Sequence, residues 1–353
     1  MKKIVFTGGG TAGHIMPNIA LIERLKNYDI YYIGSNGMEK NIITKIPNVK
    51  FIEIPTVKLI RGLSPKNLLL PFKLIKSIHI SKKKLLEIQP DIIFSKGGYV
   101  SIPVCIGGKI LKTPIITHES DFTIGLANKI IAPLSKNICC SFKNTAEHYG
   151  KNAIFTGSPI RKQILHGNRQ IVINRHNLSI HKPIILIVGG SLGAKAINDV
   201  IWNNLKILTT KYTLLHIVGK NNTNQDISIK DYHQIEFAKD IENYFSCADI
   251  VISRSGSNTI FELLALNKPM ILIPLPKSSR SRGDQELNAD YFQLNGFAEV
   301  ITQDNLTIST LENKINHILS NKHNYINKMK NANNSIGTET ILKLIEKTLN
   351  TQP

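Results

Sequence analysis

Short apolar runs without polar alternation are separated along this chain by stretches with helical spacing. In the first half the runs cover residues 4–7, 30–33, 91–95, 115–117 and 137–141. In the second half they cover 184–188, 214–218, 249–253 and 270–275. A strand that is apolar on both sides needs cover on both sides, and parallel pairing through helical crossovers supplies it. The pattern predicts an α/β class built of doubly wound parallel sheets.

Many of the runs end in glycine. Gly9-Gly10-Thr11-Ala12-Gly13 and Gly189-Gly190-Ser191-Leu192-Gly193 share the pattern Gly-Gly-[Thr/Ser]-x-Gly, each after an apolar run and before a helical stretch. Their offset, 189 minus 9, is 180 residues, about half of the 353-residue chain. Two similar domains, each opening with a glycine-rich turn, are the simplest account. A boundary is expected near Gly157-Ser158-Pro159, giving domains of 1–158 and 159–337. The last helical pattern, 340–349, is expected to pack back on either of them.

Composition adds limits. A chain of 353 residues with 42% hydrophobic and 20% charged positions fits two globular cores, and excludes wholesale disorder or a fibre. Cys105, Cys139, Cys140 and Cys247 form no Cys-x-x-Cys pair and no zinc-type spacing with histidine, which suits a reducing compartment. The apolar run at 4–6 is too short for a signal segment, and nothing approaches the ~20 apolar residues of a spanning helix. The protein is therefore expected to stay in the cytoplasm, free to touch a membrane face.

Charge narrows the partners. The 44 Lys+Arg against 25 Asp+Glu give +19, an excess that favours nucleic acid, a nucleotide or an anionic membrane, though a genomic bias toward lysine contributes to it. Between residues 54 and 86 stand Lys58, Arg61, Lys66, Lys73, Lys76, Lys82, Lys83 and Lys84 with no acid. Leu69, Phe72 and other apolar residues lie among them. Such a segment suits docking on anionic lipid, and is also what a core helix with a solvated lysine face looks like.

Four turns have the make-up of anion cradles: 8–13, Ser95-Lys96-Gly97-Gly98, 189–193 and Ser253-Arg254-Ser255-Gly256-Ser257. Glycine lets backbone N–H groups approach a phosphate, and the following helix adds its partial positive charge. The alternative for any one turn is close helix–strand packing. No Gly-x(4)-Gly-Lys-[Ser/Thr] is present, which excludes a P-loop ATPase. The first turn fits Gly-x-Gly-x-x-Gly only loosely, and the second run is followed by no acid before Glu39, which disfavours a dehydrogenase.

Several side chains near these turns have suitable chemistry. His14 follows the first turn directly and is placed to act as a general base toward a hydroxyl. His118-Glu119-Ser120-Asp121 follows another strand end, as an acceptor contact or as a capping cluster. Glu262, on the helix after the Ser-Gly-Ser turn, can accept ribose hydroxyls or simply complement a helix dipole. Arg161, Arg254 and Arg280 or Arg282 are candidates for a diphosphate.

Taken in order, the motifs identify a family. The chain resembles the GT-B glycosyltransferases of the family 28 type that act in bacterial peptidoglycan synthesis. The resemblance rests on Gly8-Gly9-Gly10-Thr11-Ala12-Gly13-His14, Ser95-Lys96-Gly97-Gly98-Tyr99-Val100-Ser101, His118-Glu119 and Gly125-Leu126-Ala127-Asn128-Lys129. It continues through Thr156-Gly157-Ser158-Pro159-Ile160-Arg161, Gly189-Gly190-Ser191-Leu192-Gly193-Ala194, Arg254-Ser255-Gly256 and Asp284-Gln285-x-x-Asn288-Ala289.

The resemblance implies two Rossmann-like domains with a cleft between them. The N-terminal one would take the acceptor and face the membrane, and the C-terminal one would take UDP-N-acetylglucosamine. A terminal helix of about 338–353 would return to the N-terminal domain. It implies an inverting transfer to the C4 hydroxyl of lipid I, giving lipid II, at the cytoplasmic face of the cell membrane, with no metal or cofactor.

Carried over by position, the donor contacts would be Thr11, Ala12, Gly13, Arg161, Ser191, Ala238, Ser257, Asn258, Thr259, Ile260, Phe261, Glu262 and Gln285. His14 would be the candidate base, and His118, Glu119, Asp121 and Asn128 the acceptor or sugar contacts. Lys58, Arg61, Leu69, Phe72, Lys73 and Lys76 would meet the anionic leaflet. Many members read His-Glu-Gln-Asn where this chain has His118-Glu119-Ser120-Asp121, and other branches carry Asp there too, so Asp121 is expected to bind the sugar differently from the Asn. Two other readings stand beside this one. A related transferase could act on a diacylglycerol or an antibiotic aglycone. A nucleic-acid-binding protein is disfavoured by a single Trp and by basic residues mixed with Leu and Ile rather than stacking aromatics.

Overall fold

The computed structural model describes residues 1–56, 70–190, 192–278, 281–332 and 337–351. Lys58, Arg61, Leu69, Ser191 and Arg280 lie outside the described residues. The chain divides into two compact units that meet in sequence at Arg161 and Lys162.

The first unit alternates strand and helix: β1 (Lys3–Thr7), α1 (Ala12–Ile22), β2 (Asp29–Gly34), α2 (Met38–Ile43), β3 (Val49–Glu53), α3 (Leu70–Ile88), β4 (Ile92–Ser95) and α4 (Ser101–Ile110). It continues with β5 (Ile115–Glu119), α5 (Leu126–Ile131), β6 (Asn137–Cys140), α6 (Lys143–Tyr149) and β7 (Ala153–Phe155). Among the described residues its sheet has seven strands in the order β3-β2-β1-β4-β5-β6-β7, each pair parallel. β1 is an interior strand, with Phe6 paired to Tyr32 on one side and to Phe94 on the other. The winding reverses between β1 and β4, the point where such sheets open a crevice at their carboxyl edge.

The second unit repeats the plan. It contains α7 (Arg169–His176), β8 (Ile184–Val188), α8 (Lys195–Asn203), α9 (Leu205–Lys211), β9 (Thr213–Ile217), β10 (Tyr232–Ile235), α10 (Ile241–Cys247) and β11 (Ile250–Ser253). After these come α11 (Ser257–Ala265), β12 (Met270–Leu272), α12 (Asp284–Leu294), β13 (Ala298–Val300), α13 (Ile308–Ser320) and α14 (Lys322–Asn331). Among the described residues six parallel strands run β10-β9-β8-β11-β12-β13, so the reversal falls between β8 and β11.

The four strands that the apolar pattern does not mark are β3, β7, β10 and β13, the edges of the two sheets. The reason is burial. β1 and β8 are almost wholly buried, whereas β3, β7 and β13 alternate half-buried with exposed or covered positions. An edge strand has a neighbour on one side only, and tolerates polar residues that a central strand cannot.

Helix α15 (Gly337–Asn350) belongs to the first unit. Ile341, Ile345 and Leu349, spaced one turn apart, join Leu342 in a cluster with Ile4, Phe6 and Phe94. The Ile160 N–H donates to Thr338 Oγ1 at 2.8 Å, and Lys2 Nζ donates to the Leu349 carbonyl at 2.8 Å, so both ends of the helix are tied down. All four cysteines are free and buried in the two interiors. Because Ile345 is fully buried in that cluster, Ile345→Ala is expected to lower stability by about 2–5 kcal/mol. Urea unfolding of the purified chain checks this.

Candidate active site

The carboxyl edge of the first sheet is organised by polar groups placed behind its glycine turns. Asn18 and Tyr32 are fully buried. The Tyr32 hydroxyl donates to the Gly8 carbonyl at 2.6 Å, and Asn18 Nδ2 donates to the Thr7 carbonyl at 3.2 Å. Burial pushes the Tyr32 phenol up, so it stays a donor. The turn's shape is thus set from within.

What fills this turn is a carboxylate. Glu39, fully buried at the start of α2, accepts the Gly10 N–H at 3.2 Å and the Ser35 N–H at 2.9 Å, and also takes the Ser35 hydroxyl. A Cβ on Gly9 would lie 2.5 Å from Glu39 Oε1, and one on Gly98 would lie 2.7 Å from the Gly9 carbonyl. Gly98 also has φ +81°, in the left-handed region. The glycines of turns 8–13 and 95–98 therefore let two loops and a carboxylate pack together. The Gly10 amide, expected to face an anion, is taken by the protein's own negative charge.

His14 stands on the first turn of α1, half-buried, with Nδ1 3.0 Å from Thr11 Oγ1. The missing side chain of Gly98 leaves room for its ring: a Cβ there would be 3.3 Å from His14 Nδ1. The imidazole thus rests at the β1/β4 reversal, where the topology places a ligand.

The 118–121 motif divides into a scaffold and an exposed member. His118 is fully buried, with Nε2 3.2 Å from the Gly157 carbonyl, and burial followed by the Lys96 charge holds it well below the usual histidine range. Glu119 accepts N–H groups of Ser120 at 2.9 Å, Asp121 at 3.1 Å and Gly125 at 2.9 Å, and Asn128 Nδ2 at 2.9 Å. Burial and the neighbouring Asp121 raise its pKa against those bonds. Asn128 is buried too, and donates to the His118 carbonyl at 3.1 Å. These three side chains shape the loop, and Asp121, half-buried, is the one of the four set at its surface.

In the second unit a cavity of about 380 Å³ lies at the carboxyl ends of β8 and β11, on either side of the reversal. It is lined by Gly189, Gly190, Gly193, Lys195, Arg254, Gly256, Thr259, Gln285 and neighbours. Two helices, α8 and α11, begin at it, and their N-terminal partial charges favour an anion. Here the glycines divide: a Cβ on Gly189 would lie 2.5 Å from the Ala194 nitrogen and one on Gly193 2.0 Å from the Val218 carbonyl oxygen, so these two are packed. A Cβ on Gly190 or Gly256 would meet no described atom within 4 Å. The small residues leave space that the protein does not fill.

Arg254 is a brace: its guanidinium donates to the carbonyls of Ile273 and Pro274 at 3.0 Å each and to Gln303 Oε1 at 2.6 Å. Arg282, another diphosphate candidate, pairs with Asp284 at 2.7 Å on the loop before α12. Gln285 is fixed by accepting the Leu275 N–H at 3.0 Å. Lys195, paired with Asp199 and with its side chain 87% exposed, is an exposed cation on the rim, and nothing in the sequence reading singles it out. Its signal would have been its place as the first residue of the helix after the second glycine turn.

The remaining expected donor contacts are spread more widely. Ser257, Asn258 and Thr259 form the first turn of α11. Ile260 and Phe261 turn into the core, where Phe261 meets Phe292 edge-on at 5.4 Å, which leaves only their backbone for a ligand. Glu262 is further along the same helix, nearly buried, and Ala238 lies in the loop after β10. Thr11, Ala12 and Gly13 open α1 in the first unit. Arg161 acts electrostatically on Glu23, at the end of α1 away from the glycine turn.

On the outer surface of α3, Phe72 and Ile75 are 73% and 64% exposed, beside exposed Lys73 and Lys76. Among the described residues no helix is long and apolar enough to cross a membrane.

Comparison with known proteins fits this geometry. Residues 4–140 match the glycosyltransferase family 28 N-terminal domain, and residues 184–347 match the family's C-terminal domain. The chain belongs to glycosyltransferase family 28. A Clostridium botulinum (strain 657 / Type Ba4) relative, named UDP-N-acetylglucosamine--N-acetylmuramyl-(pentapeptide) pyrophosphoryl-undecaprenol N-acetylglucosamine transferase, is 44% identical over 98% of this chain and 99% of its own. A Clostridium tetani relative of the same name is 43% identical over 98% of each chain. The crystal structure of Acinetobacter baumannii MurG superposes with a TM-score of 0.78 at 23% identity, covering 98% of this chain and 100% of that one, which shows the shared GT-B fold. In this family 28 chain the first glycine turn is filled by a carboxylate, whereas the second is packed at Gly189 and Gly193 and open at Gly190.

Packed and open glycines should respond differently. Gly9→Ala drives a Cβ into Glu39 and is expected to cost about 1–3 kcal/mol. Gly256→Ala, at a helix N-cap facing open space, is expected to cost less than about 1 kcal/mol. Equal losses in thermal unfolding would contradict the division.

Proposed function

We propose that this chain is an inverting N-acetylglucosaminyltransferase that moves the sugar from UDP-N-acetylglucosamine to the C4 hydroxyl of a muramoyl-pentapeptide pyrophosphoryl-undecaprenol, turning lipid I into lipid II. The observation that carries the reading is the near full-length match to relatives named for that transfer. The open cavity at the starts of α8 and α11 is chemically suited to the donor's diphosphate.

In this reading the second unit holds the donor. Backbone N–H groups at the starts of α8 and α11 face the diphosphate, and their dipoles stabilise the charge that grows on UDP as the glycosidic bond breaks. Lys195 adds a cation at the rim, Gln285 a fixed polar contact, and Glu262 accepts ribose hydroxyls. The first unit holds the acceptor. His14 removes the proton from the attacking hydroxyl. In the tautomer this reading requires, Nδ1 carries the proton toward Thr11 Oγ1, 3.0 Å away, and Nε2 is the basic nitrogen. Asp121 accepts from an acceptor hydroxyl. The hydroxyl oxygen attacks the sugar's anomeric carbon as the bond to the diphosphate oxygen breaks, so UDP leaves with the electron pair and the configuration inverts.

The outer face of α3 meets the anionic inner leaflet. Phe72 and Ile75 enter the headgroup region, while Lys73 and Lys76 pair with acidic lipid. The lipid-linked acceptor is thereby met where it resides, at the cytoplasmic face.

Incubation with labelled UDP-N-acetylglucosamine and lipid I, with the product identified by mass spectrometry, tests the assignment. Disaccharide lipid is expected, and transfer only to another lipid or aglycone would refute it. His14→Ala should lower kcat by about 100-fold or more while leaving UDP affinity nearly intact. For the membrane face, pelleting with phosphatidylglycerol vesicles should exceed pelleting with neutral vesicles, and Phe72→Asp together with Lys73→Glu should abolish the difference. Indifference to lipid charge would end that part.

A further inference from the structure

One charged group at the β1/β4 reversal has no part in the scheme above. Lys96 follows β4 directly, between the first glycine turn and the 118–121 loop, and is only 2% exposed. A Cβ on Gly8 would lie 3.0 Å from Lys96 Cβ, so the lysine forms the floor beneath that turn. Its ammonium donates to the Ser120 hydroxyl. The charged groups acting on it are the Glu119 and Asp121 carboxylates, and its own charge bears on His118.

An ammonium out of water is costly unless an opposite charge compensates it. Removing one partner of such a group leaves the others uncompensated, which is worse than removing the whole set. Here Glu119 is committed to four N–H groups and Asp121 stands beside it, so two carboxylates crowd one loop around a single cation. Burial pulls Lys96 toward losing its proton, and the two carboxylates oppose that.

We propose that Lys96 is a positioning residue for the acceptor: it clamps the Ser120–Asp121 turn to the end of β4 and supplies the positive charge that lets Asp121 face the acceptor sugar as a carboxylate. The inference rests on the acceptor reading of the first unit.

A double-mutant cycle decides it. Lys96→Met is expected to raise KM for the lipid acceptor or lower kcat/KM by about tenfold or more, with UDP affinity by calorimetry changed less than about twofold. Once Asp121→Asn has removed the neighbouring charge, adding Lys96→Met should cost less than about threefold further. Lys96→Gln keeps a donor for Ser120 without the charge, and should behave like Lys96→Met if charge dominates. Thermal unfolding of the four proteins of the Lys96→Met/Asp121→Asn cycle gives a readout independent of activity. Lys96→Met should lower Tm, and Asp121→Asn in that background should restore part of the loss. Additive effects in both readouts, or a loss of UDP affinity equal to the loss of acceptor efficiency, would overturn the proposal. A wild-type chain that makes no lipid product would instead sink the acceptor reading, and the Tm cycle would still decide whether Lys96 and Asp121 are coupled.

Discussion

Parallel strand pairing is the constraint on which the other features depend. Each crossover must leave a strand at its carboxyl end and return through a helix, so every strand-to-helix turn of a sheet collects along one edge. In both units the winding reverses once, between β1 and β4 and between β8 and β11, and the glycine turns flank those reversals. The interior requires apolar strands, and this leaves chemistry to the turns. His14, Lys96 and Asp121 on one sheet edge, and Lys195, Thr259 and Gln285 at the other, are together for that reason and not through nearness in sequence.

The same short glycine pattern then serves two ends. In the first unit the absent side chains admit Glu39, Tyr99, Asn128 and His14, and the loops close on one another. In the second unit the space beside Gly190 and Gly256 stays open. A turn with a carboxylate already on its amide is a poor host for phosphate, and a turn at two open helix starts is a good one.

Buried charge holds the carboxyl edge of the first sheet in shape. Glu39 binds the first glycine turn, Glu119 gathers the 120–125 loop, and Lys96 lies between them at the sheet edge. Such groups are unfavourable singly and become tolerable by satisfying backbone N–H groups and each other. They fix the loops that carry His14 and Asp121 at the sheet edge.

The sequence by itself determined the α/β class, the nine central strands, the two glycine turns and the family, because burial on both faces and backbone close to a ligand each permit few residue types. It left out β3, β7, β10 and β13, since edge strands carry no such demand. Tertiary structure alone decided which glycines are packed and which are open, that His118, Glu119 and Asn128 are scaffold, that Arg254 braces two carbonyls, and that Lys96 is buried beside Asp121. These depend on contacts between residues tens of positions apart, and a residue's type does not say whether its charge will meet a ligand or the protein's own backbone.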